Sequence, residues 1–214
     1  AVIFDMAGLL IDSEPLWEEA EIEVFSKVNV SLTREMTSET MGLKENEVVD
    51  YWYKKYPWEN FSKEEVRKEI IKLVIELVKR KGRAMDGTLD LIKILKDPNI
   101  PLAFASSAEN GIIEVVLDKL EIRKYIKVVY SAEYEAFGKP HPGVFLTTAT
   151  KLGINPKDCL VFEDSPNGIL AAKAASMKCI AVPSDKVKGD PRFNQADKII
   201  KSLKDFQLSD LTFI

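Results

Sequence analysis

The amino-acid sequence predicts an α/β protein: a doubly wound parallel sheet with a helical segment inserted after the first strand. Three observations carry this. Short apolar runs rich in Val, Ile and Phe recur along the chain, and they are continuous rather than alternating, as in strands covered by helices on both faces. Helical patterns with apolar residues at three-to-four spacing lie between them. One long stretch breaks the alternation and contains helical patterns alone.

In chain order, VIF at Val2 to Phe4 is the first strand. Leu16 to Val28, Asn46 to Tyr56 and Ser62 to Lys81 then read as helices, the last opened by the capping box SKEE at Ser62 to Glu65. Their flanks, DSEP at Asp12 to Pro15 and KGRAMDG at Lys81 to Gly87, have the Gly and Pro content of hinges. From there strand and helix alternate: helix Thr88 to Lys96, strand Leu102 to Ala105, helix Glu109 to Leu120, strand Val128 to Tyr130, helix Gly143 to Leu152, strand Leu160 to Phe162, helix Asn167 to Met177 and strand Ile180 to Val182, with stop signals such as Pro98 and Gly153. The division expected is a core of residues 1–14 and 83–214 and a helical unit of residues 15–82.

A chain of 214 residues can bury a sizeable core. Its net charge of −4, with acids and bases interspersed, argues against nucleic acid as a partner. No apolar run approaches the roughly 20 residues of a membrane-spanning helix, and no leader-like segment opens the chain, so a cytoplasmic monomer is expected. Cys159 and Cys179 each open an apolar run, as buried thiols do, and His141 is the single histidine, which disfavours His-based triads and His ligand clusters.

Chemistry gathers at the carboxyl ends of the strands, where ligands bind in doubly wound folds. The first strand ends in Asp5, the second in Ser106 and Ser107, the loop after the third carries Lys139 in GKPHPG, and the fourth runs into Glu163 and Asp164. Each residue alone has an ordinary role as a cap, turn or loop residue. Together on one rim they suit an anionic substrate held with a divalent metal, Asp5 and Asp164 offering hard oxygens to Mg2+ and Lys139 and a serine holding phosphate oxygens.

The stretches DMAGLLIDSEP, ASSAENG, GKPHPGVF and LVFEDSPNGILAAKAA resemble, in order and spacing, the four motifs of the haloacid dehalogenase superfamily, in the branch with a helical cap after the first strand. Within it, MGLKENEVVDYWYKKYPW and AASMKCIAVP look most like the phosphatases of 2-deoxyglucose 6-phosphate and hexitol phosphates. The resemblance implies a phosphatase acting on a small phosphorylated sugar or sugar alcohol through an aspartyl-phosphate. Asp5 would be the nucleophile, with Ser106, Lys139 and the N–H of Ser107 holding the phosphoryl group. Asp5, the main-chain carbonyl of Ala7 and Asp164 would hold Mg2+, with Glu163 orienting a metal-bound water or serving as an alternate ligand. Glu14, Trp17, Asn110 and Lys44 are candidates for substrate contact, whereas Asp12 is expected to bind backbone at the hinge and Trp52, Tyr53 and Trp58 to pack.

Position 7 departs from the family pattern, which has there an aspartate serving as general acid and then general base. Ala7 can do neither, so weak or absent turnover is expected. Three explanations compete: an engineered replacement, a naturally silent ligand-binding relative, or kinship with phosphonoacetaldehyde hydrolase, which has alanine there and forms a Schiff base from a cap lysine, here Lys44 in MGLK. Against the last, GKPHPG carries Lys139 where that enzyme has arginine. A mutase resembling the β-phosphoglucomutases is the rival activity.

Overall fold

The computed structural model describes residues 1–40, 43–96, 99–185 and 187–213, so Met41 and Gly42 of the MGLK stretch and the Pro98 stop signal lie outside it. The strands β1 (Val2–Phe4), β2 (Leu102–Ser106), β3 (Ile126–Ser131), β4 (Leu160–Glu163), β5 (Lys178–Ala181) and β6 (Lys198–Ile199) form one sheet in the order β3-β2-β1-β4-β5-β6, every neighbouring pair parallel. The chain winds outward from β1 to β3, returns to place β4 against the other side of β1, and winds outward again. The reversal between β1 and β4 leaves a crevice at their carboxyl ends.

Alternation along each strand divides the core between two faces. Phe4, Phe104 and Phe162 lie side by side on one, the ring of Phe4 stacked on Phe162 at 5.3 Å and meeting Phe104 edge-on at 6.1 Å. Ile3, Ala103 and Val161 belong to the other face, with Val144 and Phe145 of helix α7 (Gly143–Leu152) and Ile169 of helix α8 (Pro166–Ala174). α7 is enclosed so far that Thr148 turns its hydroxyl back onto the carbonyl of Val144.

Between β1 and β2 the helices α1 (Glu14–Lys27), α2 (Arg34–Thr37), α3 (Glu45–Lys55) and α4 (Lys63–Lys81) precede α5 (Thr88–Ile94), and among the described residues no strand of the sheet lies between them. α4 is the spine on which α1 and α3 pack, and it also meets the sheet-bound helix α6 (Asn110–Leu120). The apolar cluster on the Phe4 face therefore continues into Val74, Leu77 and Trp52. The two connections of this helical segment run side by side: Asp12 N–H donates to the carbonyl of Arg83 at 2.8 Å and Met85 N–H to that of Leu10 at 3.0 Å.

Expected and observed elements differ at short pieces and edges. α2 and β6 were not legible because four and two residues are too short to display a period. The helix expected over Asn167 to Met177 begins one residue earlier and stops at Ala174, ahead of the left-handed Ser176 at φ 60°. Cys159 and Cys179 are buried free thiols. Trp52 and Trp58 are buried, Trp58 edge-on to Phe25 and Tyr53, in the packing roles expected of them.

Candidate active site

The crevice between β1 and β4 collects the polar ends of the strands. Asp5 directly follows β1 and its N–H donates to the carbonyl of Phe162, keeping the chain in register with β4 for one more residue. The backbone then turns tightly, Leu10 N–H returning to Met6 O and Gly8 N–H to Ile11 O, with Gly8 left-handed at φ 73°. This turn leaves Ala7 half-buried on the wall of a cavity that Asp5, Ser106, Ser107, Lys139 and Asp164 also line. Ser106 ends β2, and its Oγ accepts from the N–H of Ala108 at 3.3 Å.

Lys139 comes in from the loop after β3, fully enclosed. Its Nζ donates to Asp5 Oδ1 at 2.5 Å and to Glu163 Oε1, and lies 4.9 Å from the centre of the Phe145 ring. Glu163 is turned under α8: its Oε2 accepts from the N–H and hydroxyl of Ser165 at 3.0 and 2.9 Å. Ser165 in turn caps α8 by accepting from Gly168 N–H at 3.0 Å. A Cβ at position 168 would run into the Glu163 carboxylate, so glycine is required there for a steric reason.

Burial pushes the Asp5 carboxyl up to about 6, with Lys139 opposing and Glu163 adding to the rise. Burial also raises Asp164 well above the carboxylate range, helped by the charges of Glu163, Asp5 and Glu14. Burial works against the charge of Lys139, yet Asp5 and Glu163 together hold its amine above the ordinary lysine value. One ammonium thus pairs with Asp5 and Glu163, while one carboxyl oxygen from each of Asp5, Glu163 and Asp164 lies within 4.8 Å of the other two. Oδ2 of Asp164 is buried without a hydrogen-bond partner. A hard divalent cation would supply the missing positive charge and the missing partner, so the donor set fits Mg2+.

The opposite wall of the cavity comes from the helical segment. Glu14, Trp17, Glu18 and Glu21 of α1, Thr37, Thr40 and Glu45 line it. Glu14 and Trp17, two of the residues singled out in the sequence, thus line the cavity. Asn110 and Lys44 do not belong to the lining: Asn110 donates its backbone N–H to Glu133 at 3.0 Å as α6 begins, and Lys44 is buried, its Nζ donating to the carbonyl of Glu135 at 2.9 Å. Lys44 is therefore neither a solvated residue nor a contact to the cavity; it is a strut onto the 132–141 loop. Asp12 holds Arg83 through its backbone, with its side chain exposed. Sequence reasoning missed Glu18, Glu21 and Glu45, although Glu14, Glu18 and Glu21 fall at the i, i+4, i+7 spacing of one helix face and were open to detection.

The sheet thus carries a carboxylate at each side of its switch point, with the buried Lys139 set against them. The chain belongs to the haloacid dehalogenase-like hydrolases, whose family model it matches over residues 2–182. It is 39% identical over 212 residues to hexitol phosphatase B of Escherichia coli K12, covering 99% of this chain and 96% of that protein. It is 31% identical over 222 residues to a probable pseudouridine-5'-phosphatase of Drosophila melanogaster, covering 96% of this chain and 90% of that protein. In fold it superposes on CbbY from Rhodobacter sphaeroides, in complex with phosphate, with a TM-score of 0.91 at 23% identity, over 99% of this chain and 98% of that one. Among the described residues no helix is long and apolar enough to cross a membrane.

Proposed function

We propose that this chain is a Mg2+-dependent phosphomonoesterase scaffold for a small phosphorylated sugar or sugar alcohol, with its turnover curtailed at position 7. The observation that carries the reading is the meeting of Asp5, Ser106, Lys139 and Asp164 at one switch-point cavity. The 39% identity to a hexitol phosphatase supports the substrate class. Residues 1–14 and 83–214 act as the core, and residues 15–82 as a cap that closes over the substrate.

In this reading the Asp5 carboxylate attacks phosphorus, forming an aspartyl-phosphate as the bond to the substrate oxygen breaks. Lys139 and the Ser106 hydroxyl hold the phosphoryl oxygens, with the N–H of Ser107 beside them. Asp5, the Ala7 carbonyl and Asp164 are the residues that would hold Mg2+, and Glu163 fixes Lys139 and Ser165 behind them. The metal, when bound, offsets the repulsion between the anionic nucleophile and the phosphoryl group. The departing oxygen needs a proton, and a water attacking the aspartyl-phosphate must lose one. The methyl group of Ala7 serves neither need, which costs about 10² to 10⁴ in rate. A Schiff-base role for Lys44 has no support, since its amine is committed to the Glu135 carbonyl.

The test is phosphate release from 2-deoxyglucose 6-phosphate and hexitol phosphates with Mg2+, comparing this chain with Ala7→Asp. Turnover that appears or rises at least a hundredfold in the variant supports the reading. No release from either protein on any of these substrates would overturn it.

A further inference from the structure

The cap side of the cavity has a chemistry of its own. Glu21 is the last residue of α1's cavity face, is 7% exposed, and its Oε2 has no hydrogen-bond partner. A buried carboxyl oxygen left unpaired is costly unless a ligand completes it. Around it stand Glu18 and Glu45, both buried, and Glu14. Thr37 and Thr40 add hydroxyls whose protons are spent on the carbonyls of Arg34 and Thr37, leaving oxygen lone pairs for a donor from the cavity. Lys139, at the phosphoryl end, is the one cation among the described lining residues. Arg34 reaches only the edge of this wall, 3.9 Å from Glu18 and largely exposed, and Arg67 is engaged by Glu64 and Glu109.

This wall is the reverse of what a second phosphate needs. A bisphosphate bound at Asp5 and Lys139 would thrust its distal anion among carboxyl groups without a cation to receive it. Burial and the neighbouring Glu14, Glu18 and Glu45 push the Glu21 carboxyl up to about 8, so at neutral pH it carries a proton and can both donate to and accept from a hydroxyl.

We propose that Glu21 is a specificity-determining residue that hydrogen-bonds hydroxyl groups remote from the phosphoryl end, in an acidic wall with Glu14, Glu18 and Glu45 whose described lining offers no cation to a second anionic group. The cavity then selects monophosphates of polyhydroxy compounds over bisphosphates and phosphorylated sugar acids. This rests on the phosphomonoester reading above, and it disfavours mutase chemistry that depends on a bisphosphate.

The experiment is isothermal titration calorimetry at pH 7 with excess Mg2+, using inorganic phosphate, sorbitol 6-phosphate, a hexitol 1,6-bisphosphate and 6-phosphogluconate. This chain is expected to bind sorbitol 6-phosphate at least about tenfold more tightly than each of the others. Glu21→Leu should lose that margin while its affinity for inorganic phosphate stays unchanged, which also certifies the variant's fold. Glu21→Gln, which can donate and accept, should stay within about threefold of the parent, and Glu21→Lys should bring the bisphosphate to parity or better. Equal affinity of the parent for the mono- and bisphosphate, or a folded Glu21→Leu or Glu21→Lys that binds all four probes as the parent does, would overturn the inference and leave the phosphomonoester reading standing. If inorganic phosphate itself fails to bind with Mg2+ present, the phosphomonoester reading falls and this inference with it.

Discussion

The carboxylate of Asp164 lies directly against Gly8, its Oδ2 and Cγ occupying the space that a Cβ at position 8 would fill. The turn after β1 therefore needs glycine twice over, for its φ of 73° and for the carboxylate packed on it. Gly8→Ala is expected to lower stability by roughly 1–3 kcal/mol and to displace Asp164. Thermal unfolding with and without Mg2+ checks this: Mg2+ should raise the midpoint of the parent and leave that of the variant unmoved. An equal Mg2+ shift in both proteins would detach Asp164 from metal binding.

Lys139 is the counter-charge for two buried acids, Asp5 and Glu163. Replacing it in Lys139→Met strands both, and breaking a buried pair from one side costs about 3–5 kcal/mol. Unpaired buried carboxyls bind protons more tightly folded than unfolded, so the deficit should be small near pH 4.5 and grow as pH rises to 7.5. Urea unfolding at the two pH values reads the difference, and a pH-independent deficit would mean that lost packing against Phe145 dominates.

The start of α3 is pinned to the loop that carries Lys139. Glu47 accepts from Lys44 N–H at 3.0 Å and from Gly138 N–H at 3.2 Å, and a Cβ at position 138 would press on the Lys44 side chain at 2.8 Å. Gly138→Ala should lift α3 from the loop while leaving the sheet intact. Hydrogen exchange would then quicken in 43–50 and 132–141 and remain unchanged in β1 and β4; unaltered exchange in both segments would show that the loop absorbs the methyl group.

Burial, with help from neighbouring charges, pushes Glu21 up to about 8; burial likewise pushes Glu45 up to about 7. Each binds its proton more tightly in the folded state than in the unfolded one. Stability should therefore fall as pH rises from the ordinary glutamate range through these values. Glu21→Gln removes one of the two titrations and should narrow the loss between pH 5 and pH 8.5 by roughly 2–4 kcal/mol. Denaturant unfolding across that range is the measurement, and parallel pH profiles for parent and variant would contradict it.

Much of this site could be read along the chain. Asp5, Ser106 and Glu163 with Asp164 each sit at the end of an apolar run, and a parallel sheet brings the ends of its strands to one rim. Lys139 was legible through the Gly and Pro of GKPHPG that mark its loop. The seat of Lys44 was not legible, because its amine meets the carbonyl of Glu135, 91 positions along the chain, and no local pattern displays such a contact. Glu21 was overlooked because EEAEIE reads as a solvated acidic face until a second wall is known to stand opposite.

By itself the sequence determined the strand–helix alternation, the helical insertion and the side chains offered at the strand ends, because these depend on local periodicity and on residues a few positions apart. Only the tertiary structure decided which side of β1 receives β4, that Gly8 and Gly168 make room for the carboxylates of Asp164 and Glu163, and that the acids of α1 line one cavity with Asp5 and Lys139. Apart from the short link between Glu163 and Gly168, those relationships join residues more than a hundred positions apart, as the Asp5–Lys139 pair does, and their energies arise from burial and charge that exist once the chain has closed around them.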